Sequence, residues 1–517
     1  MTLATRDARG RAGLAMAEWC ARSKETPPAS ARPEGPGAPI LPAESPECSA
    51  WNIPAEGGRR EVTRPNRLRQ LAARWLSPFA ANGIREEDLL PRLGYNRSAC
   101  ERKAPSRICP LVIVMGGEIF VYIPHKSRLF PERLPSCESL ASDSPGGSAM
   151  RRFLPVLRMV RSMVKTRAPE YCRDFAIRVC VDEFCHGDFE GRAIPWLTMI
   201  SCAGTPSLPA VQWNTLKGRD PNLSEWDAEL LRRAAVQPDA NASWPCREST
   251  AVWRGSAAEP FSTNMRWTTN HTLSRLAVTR GRWRQQGRLA LMWQHCNHPE
   301  LLNVFMRGVQ GPDPQVGKPL LDIEDFTRCI TKMGIHKEKV LSLADQARRF
   351  RYIVHVEGVG GWADRLKHLL LSYATVLKQD MGVLEWFEPL LHPYVHFVPV
   401  TSTLSNISDS IHWLHHHEDE ALQIANSAAA LGQEIFSLGS LSVYMEELLL
   451  GYSRLYRDSQ AVPALLTRLP QTEIVRFDCS TKSGNGGFEC FFAHIHTRKR
   501  VESVMAAAEW TGSVGAC

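Results

Sequence analysis

The chain has 517 residues, 62 Lys and Arg against 54 Asp and Glu, and a formal net charge of +8, with 44% hydrophobic and 22% charged residues. These are the proportions of a globular protein of two or three domains, and with no run of about 18 apolar residues to cross a bilayer, no transmembrane segment is expected. The basic residues are spread along the chain instead of forming one stripe or tail, which argues against a nucleic-acid partner and for solvated surface or a site for anionic ligands.

The 15 cysteines include no Cys-x-x-Cys pair with a matching second pair, so they do not read as a metal site; a disulfide role for some stays open. Asn96, Asn222, Asn241, Asn270 and Asn406 head Asn-x-Ser/Thr tripeptides, glycosylation acceptors if the chain enters a secretory lumen. The N-terminal sequence lacks the apolar stretch of a signal peptide, and Gly515-Ala516-Cys517 is no retention signal, so the reading is either a cytosolic protein or a chain without its true start.

In chain order, residues 1–66 read as a disordered leader, dense in Pro, Gly, Ser and Glu from about residue 25. A first α/β domain is expected over 67–245. It would hold a hairpin around Gly116-Gly117, a loop over 135–148, an amphipathic helix over 150–165 through Phe153, Leu154, Leu157, Val160 and Met163, and a strand over 175–181 ending at Asp182-Glu183. A second α/β domain over 246–458 opens with a strand at 250–253 and closes in helices, with Leu422, Ala425, Ile435, Tyr444, Leu448, Leu449 and Tyr452 as core candidates. Residues 459–517 are assigned to neither domain.

Chemistry concentrates in the second domain. A strand from Phe350 runs into the glycine-rich turn Glu357-Gly358-Val359-Gly360-Gly361, and a helix is predicted over 362–377. Backbone N–H groups at such a helix start bind anions, and Arg365 and Lys367 would add charge-assisted contacts to a diphosphate; a solvated Arg after a common glycine turn is the plainer alternative. Arg254, Gly255 and Ser256 close the opening strand, where backbone can approach a ligand closely, or simply turn into a loop. Asp182 stands at a strand end where open α/β sheets place ligands and could serve as a general base, although a loop-capping Asp is the commoner occurrence. His412, His415, His416 and His417 point in different directions from one helix start and do not make a metal site.

Set in order, Val179 to Glu183, TAVWRGS at 250–256, YIVHVEGVGGWADRLKHLLLSYATVL, EWFEPLLHPYVHFVPV and LSNISDSIHWL resemble the blocks of glycosyltransferase family 90. That group holds the Rumi-type protein O-glucosyltransferases and the capsule-associated xylosyltransferases. The resemblance implies a GT-B-like α/β architecture, two Rossmann-like domains facing across a cleft, with C-terminal helices. It implies an inverting transfer of glucose or xylose from a UDP-sugar to a hydroxyl of a protein or glycan acceptor, with no metal or other cofactor, in the lumen of the ER or Golgi. On it Asp182 matches the base, and Arg254, Gly255, Ser256 and Arg365 match positions around the donor, with Gly358, Gly360, Gly361 and Lys367 completing the expected phosphate cradle. The turn before Arg365 is one residue longer than in relatives, Ala363 replaces a common Ser, and Asp182-Glu183-Phe184 departs from the usual Asp-Trp-Pro or Asp-Tyr-Pro. The alternative is a catalytically silent relative that binds a glycan or protein.

Overall fold

A computed structural model describes residues 64–89, 109–122, 173–180, 193–202, 206–211, 244–256, 287–307, 328–329, 341–358, 363, 365–469, 474–481 and 488–494, with single positions between 153 and 164. Asp182, Gly360, Gly361, Leu154, the loop at 135–148 and the expected leader up to residue 63 lie outside the described residues. The architecture is α/β, built on two five-stranded sheets.

The chain enters on α1 (Arg64–Leu76), whose Leu68, Leu71, Ala72 and Trp75 recur at helical spacing and are buried. Strands β1 (Leu111–Met115) and β2 (Glu118–Tyr122) form the expected hairpin. Gly116 and Gly117 turn it at φ 56° and 77°, as a two-residue type I′ turn requires. Helical Phe153, Leu157, Val160 and Met163 are all buried, as their spacing predicts. Strand β3 (Phe175–Arg178) pairs antiparallel with β1, and the disulfide Cys109–Cys180 ties the two together. Short strands follow: β4 (Leu197–Thr198), β5 (Ser201–Cys202) and β6 (Leu208–Pro209).

The second sheet and the helices around it take the chain from residue 248 to 468. Its elements are β7 (Glu248–Ser256), α2 (Gly287–Asn297), β8 (Leu302–Arg307), α3 (Leu343–Arg349), β9 (Phe350–His355), α4 (Leu366–Leu370) and β10 (Thr375–Gln379), then β11 (Val383–Leu384) and β12 (Val398–Val400). Helices α5 (Ile407–His416), α6 (Glu418–Ile435), α7 (Leu438–Leu455) and α8 (Val462–Arg468) follow, and β13 (Ile474–Thr481) and β14 (Phe488–His494) end the described chain.

Two expectations are corrected here. The first sheet has the order β14-β13-β2-β1-β3 and is antiparallel at every pairing, which differs from a Rossmann-like layer. Tight hairpins make antiparallel neighbours, whereas parallel strands need long crossovers. Parallel pairing on this side comprises, among the described residues, β4 with β6 and bridges from Val179 to Leu197 and from Ile84 to Tyr456. The sheet also recruits β13 and β14 from the segment that the sequence assigned nowhere. The second correction concerns the helix predicted over 362–377: α4 covers five residues only, and Thr375-Val376-Leu377 belong to a strand. Tyr373, at φ 52°, breaks the helix, and the β-branched run beyond it is buried as an inner strand.

The second sheet has the order β12-β10-β9-β7-β8 with every pairing parallel. Counting its strands along the chain, the order is 2-1-3-4-5. The chain leaves β7 toward one edge, then crosses back to build outward from β9, so the strand order reverses between β7 and β9. The strand expected at 250–253 is longer, Glu248–Ser256.

Helices α6 and α7 carry the predicted core: Ala425, Ile435, Tyr444, Leu448, Leu449 and Tyr452 are buried and Leu422 is partly so. They also join the two sheets. Thr375 Oγ1 on β10 donates to Ala421 O of α6 at 2.6 Å, and Tyr452 Oη of α7 donates to Ala176 O on β3 at 2.9 Å. Among the described residues no helix is long and apolar enough to cross a membrane.

Candidate functional site

In an open parallel sheet the chain diverges above the point where strand order reverses, leaving a crevice at the carboxyl ends of the two strands involved. Here those ends are Trp253-Arg254-Gly255-Ser256 on β7 and His355 followed by Val356-Glu357-Gly358 on β9. Trp253 is fully buried, and two guanidinium groups lie over its ring: Arg365 at 5.3 Å and Arg288, from the first turn of α2, at 5.6 Å. Each is also held by main chain, Arg365 Nη1 donating to Arg254 O at 2.9 Å and Arg288 Nε to Glu357 O at 2.9 Å. The indole face attracts cations, and the carbonyls fix their orientation. Gly255 is what lets Arg365 approach, because a Cβ there would stand 2.5 Å from the Trp253 ring and 3.1 Å from Arg365 Nη2.

Arg254 contributes differently from the expectation. Its guanidinium turns to the neighbouring strand, donating to Asn303 O at 2.6 Å and to Asn303 Oδ1 at 2.7 Å. Burial pulls its pKa down to about 10, and the next influences on it are the charges of Arg349 and Glu248, which belong to the other end of the sheet. Arg254 thus clamps β7 to β8 and offers its carbonyl, not its charge, to the crevice. Lys367 also answers an internal partner: its Nζ is 3.6 Å from the Glu385 carboxylate, and both side chains are buried. Lys378 on β10 stands 2.8 Å from Glu388 in the same way. The acidic-aromatic segment Glu385-Trp386-Phe387-Glu388 therefore neutralises lysines beneath the site. Gly358 follows β9 directly, and Ser256 ends β7 with its side chain outside the described residues.

Sequence reasoning passed over several residues that gather here. Glu357 is buried, donates its N–H to Gln379 Oε1 at 2.9 Å, and packs its carboxylate where a Cβ on Gly287 would come within 2.7 Å. Gln379 Nε2 in turn donates to Ser402 O at 2.6 Å, so one amide joins the ends of β9, β10 and the turn after β12. His355 ends β9 in register with Lys378. Burial, then the charges of Lys378, Arg365 and Arg288, hold its pKa well below the ordinary imidazole value, so the ring is neutral. A polar residue inside the apolar run YIVHV was the available local signal for His355; Arg288 and Gln379 gave none.

The four histidines of α5 and its end do not converge. His415 Nε2 bonds Ser249 O at 2.8 Å and His417 Nδ1 bonds Trp413 O at 2.8 Å. Among the described residues no group of three His, Cys, Asp or Glu side chains is placed to hold a metal ion. Cysteines do pair elsewhere, as Cys109–Cys180 and Cys296–Cys329.

The model of the family Glycosyl transferase family 90 matches residues 207–482, more than half of the chain. That span contains the whole second sheet and begins after Asp182. Human Protein O-glucosyltransferase 3 is 24% identical over 277 residues, covering 52% of this chain and 47% of its own. Human Protein O-glucosyltransferase 1 is 25% identical over 232 residues, covering 45% of this chain and 48% of its own. The chain spans about half the length of the curated relatives it matches. With the crevice over a reversing parallel sheet, its paired guanidiniums on Trp253 and a family match across that whole layer, the chain belongs to glycosyl transferase family 90.

Proposed function

We propose that this protein is an inverting glycosyltransferase that moves a sugar, glucose or xylose, from a UDP-sugar to a hydroxyl of a protein or glycan acceptor. The observation that carries the reading is the pair Arg365 and Arg288 on the Trp253 ring at the reversal point of the sheet, a preorganised cationic site where α/β folds bind nucleotides. As the bond from sugar to diphosphate breaks, negative charge grows on the departing phosphate oxygens, and donors already fixed in place stabilise it without reorganising. In this reading those guanidiniums supply the positive charge and no metal is required.

In this reading the second sheet binds the donor, and the first sheet with its approaches carries the acceptor. Asp182 is the base: an acceptor hydroxyl is far too weakly acidic to attack at neutral pH unless a carboxylate takes its proton during the displacement. Its position just beyond β3 and the Cys109–Cys180 disulfide supports the assignment, since Cys180 N donates to Leu197 O at 2.7 Å and holds that strand end in place. Disulfides form and persist in oxidising compartments, which favours the lumen of the secretory pathway.

The test is a panel of UDP-sugars offered to the full chain and to Asp182→Asn, reading donor hydrolysis, transfer and UDP affinity. The parent should turn over one donor, and Asp182→Asn should bind UDP like the parent while transferring almost nothing. A parent that binds UDP and transfers from no donor would instead be a silent binding protein. A variant that keeps most of its transfer would move the base elsewhere, with Glu183 the next residue to examine.

A further inference from the structure

His355 is 1% exposed, and among the described residues neither of its ring nitrogens has a hydrogen-bond partner. Burying an imidazole strips it of water, and leaving it unanswered is unfavourable, so a protein rarely keeps such a group in a layer where Leu or Val would pack better. The neighbouring β9 positions follow that rule: Tyr352, Ile353, Val354 and Val356 are all buried, and Tyr352 finds Leu414 O for its hydroxyl. The exception falls at one place, the carboxyl end of β9, where the strand order reverses. Its surroundings are selective as well. Lys378 stands beside it in register, and the charges of Lys378, Arg365 and Arg288 act on it, so a protonated, cationic ring is excluded and a neutral one with a single N–H is retained. Lys378 is answered by Glu388 at 2.8 Å, so the charge left for a ligand is that of Arg365 and Arg288, and a neutral donor beside them is complementary to an oxyanion.

We propose that His355 is a binding residue of this crevice, donating its ring N–H to a phosphate oxygen of a nucleoside diphosphate held by Arg365 and Arg288. The assignment rests on the donor-binding reading above and adds to it a contact that no charge count would find. The ligand supplies the hydrogen-bond partner that the described residues do not. His355 consequently trades stability for affinity, and the two move in opposite directions when it is replaced.

The experiment measures, on the full chain, thermal stability together with the affinities for UDP and for uridine, which has the same base and ribose but no phosphate. His355→Leu should melt no lower than the parent, bind uridine equally, and bind UDP about tenfold more weakly, the scale of one hydrogen bond to a charged group. His355→Asn, which keeps an N–H donor, should recover part of the UDP affinity. Should His355→Leu fail to fold, the ratio of UDP to uridine affinity in His355→Ala decides, and it should fall by the same factor. Variants with the parent's ratio overturn the assignment, as does an equal loss of UDP and uridine with a lowered melting temperature, which marks a structural histidine. A parent with no affinity for UDP would instead overturn the donor reading itself.

Discussion

The two ends of the parallel sheet carry similar residue types in different settings: Arg247 at the amino end also lies over an indole, that of Trp244 at 5.7 Å, but far from the point where the strand order reverses. At the amino end Arg349 pairs with Glu248 at 3.0 Å, Arg351 pairs with Glu418, and the buried Arg247 donates to Tyr373 O at 2.6 Å. At the carboxyl end the guanidiniums of Arg288 and Arg365 rest on an indole and on main-chain carbonyls. The histidines repeat the contrast. His396, just before β12 at the amino end, accepts the His392 N–H on Nδ1 at 3.0 Å, whereas His355 at the carboxyl end is neutral with no partner among the described residues. Both rings are kept uncharged, one to complete a turn and the other ready for a ligand. A guanidinium held on an indole and a main-chain carbonyl therefore does not by itself mark a site, since Arg247 has the same support; the place where the strand order reverses is what sets Arg288 and Arg365 apart.

The contrast is tested most severely by Arg365→Ala, which should slow transfer by roughly a hundredfold, the usual scale for losing one charge-stabilising donor, and weaken UDP binding in a calorimetric titration. Activity near the parent's would place the anion elsewhere. Arg247→Ala is its counterpart at the amino end. It removes a partly buried hydrogen bond and should cost about 2 kcal/mol in denaturant unfolding, with the UDP affinity of the folded protein unchanged. Gly255→Ala probes the packing between the ring and the guanidinium: a methyl 2.5 Å from the Trp253 ring must push something aside, at about 1–3 kcal/mol, and UDP affinity should drop with stability.

A last difference is a pH dependence at the amino end. Burial first, then His392 and Arg67, lowers the His396 pKa from 6.5 to about 4. A lowered folded-state pKa means that the unfolded chain takes up the proton first, so this contribution is complete above pH 6.5 and is lost as pH falls toward about 4. Melting temperatures taken across that window should decline, and less steeply in His396→Asn, whose side-chain oxygen can still accept the His392 N–H. An equal decline in both would assign the acid sensitivity to other groups.

Much of the local structure was legible without coordinates. The hairpin at Gly116-Gly117 follows from two apolar runs around a pair of residues free to take positive φ, and α7 follows from Tyr444, Leu448 and Tyr452 at helical spacing. The gathering of Arg365 with the Arg254-Gly255 strand end was legible too, through the order of the motifs. The run 375–377 was not, because a short apolar stretch suits a buried helix and a buried strand equally until its neighbours are known. Nor was the direction of Arg254, since its side chain answers Asn303 on a strand that joins β7 only through parallel pairing.

By itself, then, the amino-acid sequence determined the types of most elements, the α/β class and the family, because these rest on periodicity, turn residues and motif order within short windows. Tertiary structure alone decided the 2-1-3-4-5 order, the return of β13 and β14 to the first sheet, the stacking of Arg288 and Arg365 on one ring, and the isolation of His355. Each of these depends on pairing between segments distant in sequence, where register and burial choose a partner that neither segment specifies alone.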